Sequence, residues 1–172
     1  MKKIFLLLIL SFYFIVSQAQ EVPVSSTEDI TTYYFIRHAE IDQNNPKDKN
    51  PKLSDIGHQR AENWAEILKE VPFNIIYSTD YYRTKETAKP IAKLKNLPIT
   101  LYDLNYFNLG AFKKSTNGKS VLVVGHSNST PNMVNEFIET KKYTQIKENN
   151  YSNIYIITLI GTTASNKLLT IN

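Results

Sequence analysis

The chain has 172 residues, of which 42% are hydrophobic and 21% charged, so its composition is that of a globular protein with one sizeable core. Its net charge of +4 includes Lys2 and Lys3, without which 18 basic side chains stand against 16 acidic ones. That balance does not favour nucleic acid or an anionic membrane as a partner, and the absence of cysteine excludes disulfides.

The N-terminal segment has the layout of a secretory signal peptide. Lys2 and Lys3 precede a predominantly apolar run of 13 residues at 4–16, and Ala19 ends a small-residue cleavage site. The apolar run is shorter than the ~20 residues that a membrane span needs. We therefore expect residues 1–19 to be removed and residues 20–30 to form a flexible lead-in. The rest of the chain, 31–172, is expected to form one domain that is periplasmic or secreted, with no membrane attachment after cleavage.

The first part of that domain alternates strand and helix signals. β-branched and aromatic residues at 31–36 predict a strand, and the polar stretch at 41–52, with two prolines, predicts a loop. Ser54 is a favourable N-cap for a helix that extends to Val71, just before a proline. The apolar residues of this helix predict one buried face, made of Ile56, Trp64, Ile67 and Leu68.

The middle of the domain continues the alternation. Residues 73–77 predict a short buried strand, and Ser78 or Thr79 is a candidate cap for a helix that runs to about Lys95. The core-facing residues predicted for this helix are Thr84, Thr87, Ala88, Ile91 and Leu94. A third strand is predicted at 98–102.

The last part completes an α/β pattern. Residues 105–118 predict irregular structure or one short helix, and the continuous apolar run at 120–125 predicts a strand buried on both faces. Pro131 suits the first turn of a following helix. Two final strands, at 153–160 and 167–171, are predicted to pair as a hairpin at the sheet edge. Together these elements predict a three-layer α/β sandwich with a mainly parallel central sheet and helices on both faces.

Two histidines stand where predicted strands end. His38 follows the first strand directly after Arg37, and His126 follows Gly125 at the end of the strand at 120–125. The carboxyl ends of parallel strands are where an open α/β sheet places its ligand site. Arg83 joins this set because it lies near a helix N-terminus, where a cation is a poor partner for the helix dipole and a bound anion gives it a role.

Two arginines and two histidines at three separate strand ends are suited to phosphoryl transfer without a metal. The cations bind phosphoryl oxygens and offset charge in the transition state. One histidine attacks through a neutral nitrogen while its other nitrogen is held by an acceptor such as a backbone carbonyl. The second histidine, protonated, donates to the phosphate.

At this point the sequence resembles a known family. Residues 37–40 (Arg-His-Ala-Glu) resemble the Arg-His-Gly/Ala-Glu hallmark of the histidine phosphatase superfamily, also called phosphoglycerate mutase-like. Residues 53–61, 77–88 and 123–127 resemble its further motifs in the same order: the Leu-Thr-x-x-Gly helix start, the Ser-Ser/Thr…Arg…Gln/Glu-Thr-Ala segment and the second-histidine motif. The length of the domain is similar to that of the small single-domain branch, which includes phosphohistidine phosphatases.

The resemblance implies roles for individual residues. His38 is the implied phosphohistidine nucleophile, and Arg37, Arg83 and His126 are implied to complete the phosphate pocket. Asn44 falls where many members place a phosphate-contacting asparagine, although its neighbour Asn45 fits almost as well. Asp103 takes the place of a glutamate that serves many members as general acid, and it is shorter by one methylene.

The resemblance implies a metal-independent phosphatase without a cofactor. We expect it to hydrolyse phosphate monoesters, with a phosphorylated small molecule as substrate, through a phosphohistidine on His38. One alternative is a phosphohistidine protein phosphatase, against which predicted export argues because phosphorelay proteins are intracellular. Others are a module that binds phosphoryl ligands without turnover and a metal hydrolase that uses His38, His126 and Asp103.

Overall fold

The structure, a computed structural model, describes residues 29–171. The predicted signal peptide at 1–19 lies outside the described residues, as does most of the predicted lead-in. Within 29–171, no helix combines the length and apolarity that crossing a membrane requires.

Six strands form one sheet with the spatial order β3-β2-β4-β1-β5-β6. The strands are β1 (Ile30–Arg37), β2 (Ile75–Ser78), β3 (Ile99–Leu101), β4 (Ser120–Gly125), β5 (Asn153–Ile160) and β6 (Thr163–Thr170). The first four are mutually parallel, whereas β5 and β6 run antiparallel to their neighbours. The predicted mainly parallel sheet is confirmed, including the hairpin at its edge.

Helices cover both faces of the sheet, which makes the three layers. The helices are α1 (Asp55–Ile67), α2 (Tyr82–Lys95), α3 (Leu109–Ser115) and α4 (Ser129–Phe137), with a single 3₁₀ turn at Leu104–Tyr106. Trp64 of α1 and Ile91 of α2 pack with Ile36 on one face. Phe112 of α3 and Phe137 of α4 pack with other sheet residues on the opposite face.

The pleat of β1 distributes its side chains between these two cores. Tyr33 and Phe35 point into the core beneath α3 and α4, whereas Ile36 points into the core beneath α1 and α2. All three are fully buried, so β1 is the centre of the molecule. The strand that carries the first histidine is therefore held from both sides and by both neighbouring strands.

Several predicted details are wrong. α1 ends at Ile67, not Val71: Leu68 still donates its N–H to the Trp64 carbonyl, but its backbone leaves the helical conformation, with φ of −99° and ψ of 10°. Ile56 and Ile67, predicted as core, are exposed, and so is Leu94 of α2. β6 begins at Thr163, earlier than predicted, because Ile160 and Thr163 pair across a turn of only two residues. Gly161, the first of these two, adopts a φ of +56°.

The predicted caps differ between the first two helices. Ser54 caps α1 as predicted, since its hydroxyl accepts from the Gly57 N–H at 3.1 Å. Neither Ser78 nor Thr79 caps α2: this helix begins after Tyr81, whose side chain makes no capping hydrogen bond. The hydroxyl of Thr79 has another partner, described below.

Candidate active site

The two histidines meet because their strands are neighbours in register. Arg37 pairs with Gly125 in the parallel ladder of β1 and β4, so each strand delivers its histidine one residue later at the same sheet edge. The His38 N–H continues the ladder by donating to the Gly125 carbonyl at 2.9 Å. The two imidazole rings lie edge to face with centroids 5.5 Å apart.

His38 is held as a neutral ring with one nitrogen free. Its Nδ1 lies 2.8 Å from the Ala39 carbonyl oxygen, which only accepts, so Nδ1 carries the hydrogen and Nε2 keeps its lone pair. Burial lowers the pKa of His38 to about 3, and the positive charges of Arg37 and Arg83 act in the same direction. His38 is therefore in the form that a nitrogen nucleophile needs.

Arg37 is buried and anchored by a loop that the sequence analysis did not single out. Its Nη1 donates to the carbonyl oxygens of Lys147, Glu148 and Asn150 at 3.0, 3.0 and 3.1 Å, and its Nη2 donates to the Glu148 carboxylate at 3.1 Å. The guanidinium also lies 4.2 Å from the Tyr151 ring centroid. Within residues 29–171 its Nε, a buried donor, finds no hydrogen-bond partner.

Arg83 supplies a second cation from the first turn of α2. Its guanidinium stacks on the Tyr81 ring at 4.3 Å, and its buried Nη1 has no hydrogen-bond partner in the described part of the chain. Burial lowers the pKa of Arg83 from its ordinary value, but an arginine still stays charged near neutral pH. A buried charged donor without a partner is costly, and an anion removes that cost.

His126 faces the same space from the end of β4. Burial, together with Arg83 and Arg37, lowers the pKa of His126 to about 4, which favours a neutral ring while the pocket holds no ligand. Its Nε2 lies 2.9 Å from the hydroxyl of Thr79, and its ring edge contacts Tyr81 at 5.0 Å between centroids.

These groups line one cavity of about 650 Å³ at the carboxyl ends of the strands. The cavity brings together four of the six predicted site residues: Arg37, His38, Arg83 and His126. Its other charged walls are Asp48, Lys49 and Glu148. A cavity with two arginines and two neutral histidines is an anion site.

The structure does not bring the other two predicted residues into this cavity. Asn44 is exposed in the loop after β1, where its N–H bonds the Asp42 carboxylate, and Gln43 lines the cavity instead. Asp103 is exposed and accepts from both the backbone and the side-chain nitrogen of Asn105. The carboxylate of Asp103 thus caps the 3₁₀ turn.

Residues that the sequence analysis missed come from two loops. Tyr81 lies between β2 and α2, two residues before Arg83. Its position in a pair of tyrosines next to a predicted site arginine was the only feature of the sequence that could have indicated it. Tyr151 and Glu148 belong to the segment 139–152, which has no strand or helix pattern. In the structure, Ile146 attaches this segment to the second histidine motif: its side chain is buried, and its N–H donates to the Ser127 carbonyl.

Other motif residues build the frame around the site. The Thr87 hydroxyl accepts from the Ala39 N–H at 2.9 Å and donates to the Arg83 carbonyl at 2.7 Å, so it links the two arginine segments. Glu40 pairs with Arg60 of α1 at 2.7 Å. Gly57 allows this approach, because a Cβ there would lie 2.0 Å from the Glu40 carbonyl oxygen.

The model of the histidine phosphatase superfamily (branch 1) matches residues 33–116, which include the first histidine, both arginines and their frame. The chain belongs to the histidine phosphatase superfamily. Membership in this superfamily supports a phosphatase activity for the cavity described above. A search of curated proteins found no match.

Solved structures share the fold of this histidine phosphatase at low sequence identity. A protein of Agrobacterium tumefaciens assigned as the phosphohistidine phosphatase SixA is 18% identical, with a TM-score of 0.62 over 82% of this chain and 99% of its own. A phosphoserine phosphatase mutant of Entamoeba histolytica is 18% identical, with a TM-score of 0.64 over 80% and 95%. Phosphoglycerate mutase of Bacillus anthracis is 17% identical, with a TM-score of 0.64 over 83% and 94%. At these identities the likeness establishes the phosphoglycerate mutase-like fold.

Proposed function

We propose that the protein hydrolyses phosphate monoesters through a covalent phosphohistidine on His38. The observation that carries the proposal is one cavity lined by Arg37, Arg83 and a histidine whose tautomer is fixed. Within residues 29–171 each arginine also keeps one buried donor without a partner, Nε of Arg37 and Nη1 of Arg83. Two arginines beside a cavity favour a dianionic group, and a neutral histidine beside them favours attack on it.

The reaction divides into two displacements at phosphorus. In the first, Nε2 of His38 attacks the phosphoryl group and the ester P–O bond breaks, so the alkoxide leaves and takes a proton from solvent to become the alcohol. In the second, water attacks the phosphohistidine, the P–N bond breaks, and inorganic phosphate and neutral His38 are released. The hydrogen bond from Nδ1 to the Ala39 carbonyl supports the growing positive charge on the ring in the first step.

The histidines and arginines are proposed to do this without a metal or another cofactor. Across residues 29–171, no three histidine, aspartate or glutamate side chains lie together as a metal centre needs. Turnover in the presence of a strong chelator is the expected result. Activity that is lost on chelation and restored by a divalent cation contradicts this part of the proposal.

The proposed place of action is outside the cytoplasm. The layout of residues 1–19 supports export, and the mature protein is proposed to begin at Gln20. N-terminal sequencing of protein recovered from the periplasm or medium tests this. An intact Met1 on cytoplasmic protein contradicts it.

The decisive experiment traps the intermediate. The mature protein is mixed with a ³²P-labelled monoester and quenched within one turnover, and the adduct is expected to be acid-labile and alkali-stable. His38→Ala is expected to abolish both adduct and turnover. His58→Ala is the matched control, because His58 is an exposed histidine of α1 far from the cavity lining. Full turnover by His38→Ala contradicts the proposal.

A second candidate, hydrolysis of phosphohistidine, is favoured by the position of Asp103. A general acid contributes most when the leaving group is a poor one, and the predicted acid lies outside the cavity. Activated phosphates such as phosphohistidine or aryl phosphates leave without that help. A panel of alkyl, aryl, anhydride and phosphohistidine substrates separates the candidates, and binding without turnover of any of them favours a non-catalytic module.

A further inference from the structure

Two buried hydroxyls behind the second histidine have no part in the proposed reaction. Thr79 follows β2 and is 3% exposed, and Thr84 lies in the first turn of α2 and is fully buried. Thr79 contacts His126 Nε2 at 2.9 Å and the Thr84 hydroxyl at 3.0 Å. The three groups form a chain that begins in the protein interior and ends at the cavity.

The hydrogens along this chain have a preferred direction. The Thr84 hydroxyl lies 2.9 Å from the Thr79 carbonyl oxygen and 3.0 Å from the Tyr81 carbonyl oxygen, and both of these groups only accept. Once Thr84 donates to a carbonyl, its oxygen accepts from the Thr79 hydroxyl. Thr79 has then used its one hydrogen, so its contact with His126 requires Nε2 to donate.

The reverse direction is less favourable for two reasons. It makes two hydrogen bonds where the forward direction makes three, because Thr84 no longer donates to a carbonyl. It also puts an N–H, instead of a lone pair, on Nδ1 of a ring that lines a cavity with Arg37 and Arg83. The number of hydrogen bonds and the charge of the two arginines therefore both favour the Nε2–H tautomer of His126.

We propose that Thr79 and Thr84 are positioning residues that hold His126 as its Nε2–H tautomer and present Nδ1 to the phosphoryl group. This inference rests on the proposed function for the identity of the ligand, but the tautomer itself is a property of the free protein. Neither threonine touches the reacting atoms.

The tautomer has a consequence for the ligand. Nδ1 of the neutral ring and a phosphoryl oxygen are both acceptors, so a hydrogen bond between them needs one added proton. That proton comes either from solvent, to form the imidazolium, or with the ester as its monoanion. Binding of a dianionic phosphoryl group is therefore accompanied by uptake of one proton at this nitrogen.

The charged and titratable groups around His126 affect how readily its ring takes up this proton. They are Arg37 and His38 after β1, Tyr81 and Arg83 at the start of α2, and, on the other walls of the cavity, Asp48, Lys49 and Glu148. The two arginines oppose a charge on the free ring, and a bound dianion offsets that opposition.

The first test reads the tautomer by ¹⁵N NMR on ligand-free protein, in which only three histidines have to be assigned. At pH 7.5 His126 is expected to show a protonated Nε2 and a free Nδ1. Thr79→Val is expected to remove this preference, Thr79→Ser to restore it, and Thr116→Val, which removes a buried hydroxyl elsewhere, to leave it unchanged. A protonated Nδ1 in the wild type overturns the proposal.

The second test measures protons and rates. Benzylphosphonate at a pH where it is dianionic is expected to bind with uptake of about one proton, measured by calorimetry in two buffers. Thr79→Val is expected to lower kcat/KM by roughly ten- to a hundredfold, the effect of losing one hydrogen bond to a charged group, while Thr79→Ser stays near wild type. Binding without proton uptake overturns the proposal, whereas wild-type protein that hydrolyses no ester but shows the expected tautomer overturns only the proposed function.

Discussion

The cavity is built from two similar halves that differ in how firmly they are held. Each half is an arginine, a histidine and a tyrosine: Arg37, His38 and Tyr151 on one side, Arg83, His126 and Tyr81 on the other. In the first half, Arg37 and His38 are only 4% and 5% exposed. In the second half all three residues remain partly open to solvent.

The hydrogen-bond partners also indicate that the first half is held more firmly than the second. Arg37 and His38 bond mainly backbone carbonyls, which are fixed by the fold, whereas His126 is reached through two side-chain hydroxyls. The difference indicates a division of labour. In the proposed mechanism, the rigid half aims the attacking nitrogen, and the more open half receives the phosphoryl group and its proton.

The largest expected effect separates the two histidines. His38→Gln is expected to lower kcat by at least about 10⁴-fold, because it removes the attacking nitrogen. His126→Gln is expected to cost about 10²–10³-fold, the range for one donor to a developing oxyanion. Steady-state kinetics on one aryl phosphate measures both. Equal losses break the proposed division between the halves.

The two arginines are expected to differ in stability rather than only in rate. Arg83→Met is expected to lower kcat/KM by about 10²–10³-fold with little loss of stability, since its Nη1 has no partner within residues 29–171. Arg37→Met is expected also to lower the free energy of unfolding by roughly 3 kcal/mol, because three carbonyls lose their donor. Urea denaturation of both variants checks this. If Arg83→Met is destabilised and Arg37→Met is as stable as the wild type, the expected difference between the two arginines is contradicted.

Acid is expected to weaken the rigid half through His38. In the unfolded chain this histidine binds a proton near pH 6.5, whereas in the folded protein its pKa is about 3. Between these values the unfolded state holds more protons, so the free energy of unfolding falls as pH falls, by about 1.4 kcal/mol per pH unit at most. Denaturation of wild type and His38→Gln between pH 7.5 and 4.5 measures the difference. An equal pH dependence in the two proteins contradicts the neutral buried histidine.

The smallest expected effect concerns Asp103. Asp103→Asn is expected to change kcat on an alkyl phosphate by less than about twofold, because its carboxylate caps a turn outside the cavity, and an active acid would cost 10²–10⁴-fold. Asp48→Asn, on the cavity wall, is the matched comparison. A loss above 10²-fold in Asp103→Asn restores it as the general acid.

The parts of the site that were predictable lie at the ends of regular strands. His38 and His126 follow apolar runs whose parallel pairing the alternating pattern already indicates, so their meeting follows from topology. Asn44 and Asp103 lie in loops, where one residue of register changes which side chain faces the cavity, and neither of them lines it. Tyr151 and Glu148 lie in a segment with no periodicity, and only their three-dimensional contact with Arg37 reveals them.

The strands that pair with β1, and the loop that binds Arg37, lie late in the sequence and so determine when the site can form. β1 is the first strand within residues 29–171, yet its neighbours β4 and β5 begin at Ser120 and Asn153, and the carbonyls that hold Arg37 lie 110 to 113 residues further along. Such distant pairings form late, because the intervening chain must first be available. During synthesis, a nascent chain that ends before β4 has the Arg37–His38 pair but neither the second histidine nor the anchoring loop. The catalytic centre is thus assembled only after almost the whole domain has been made.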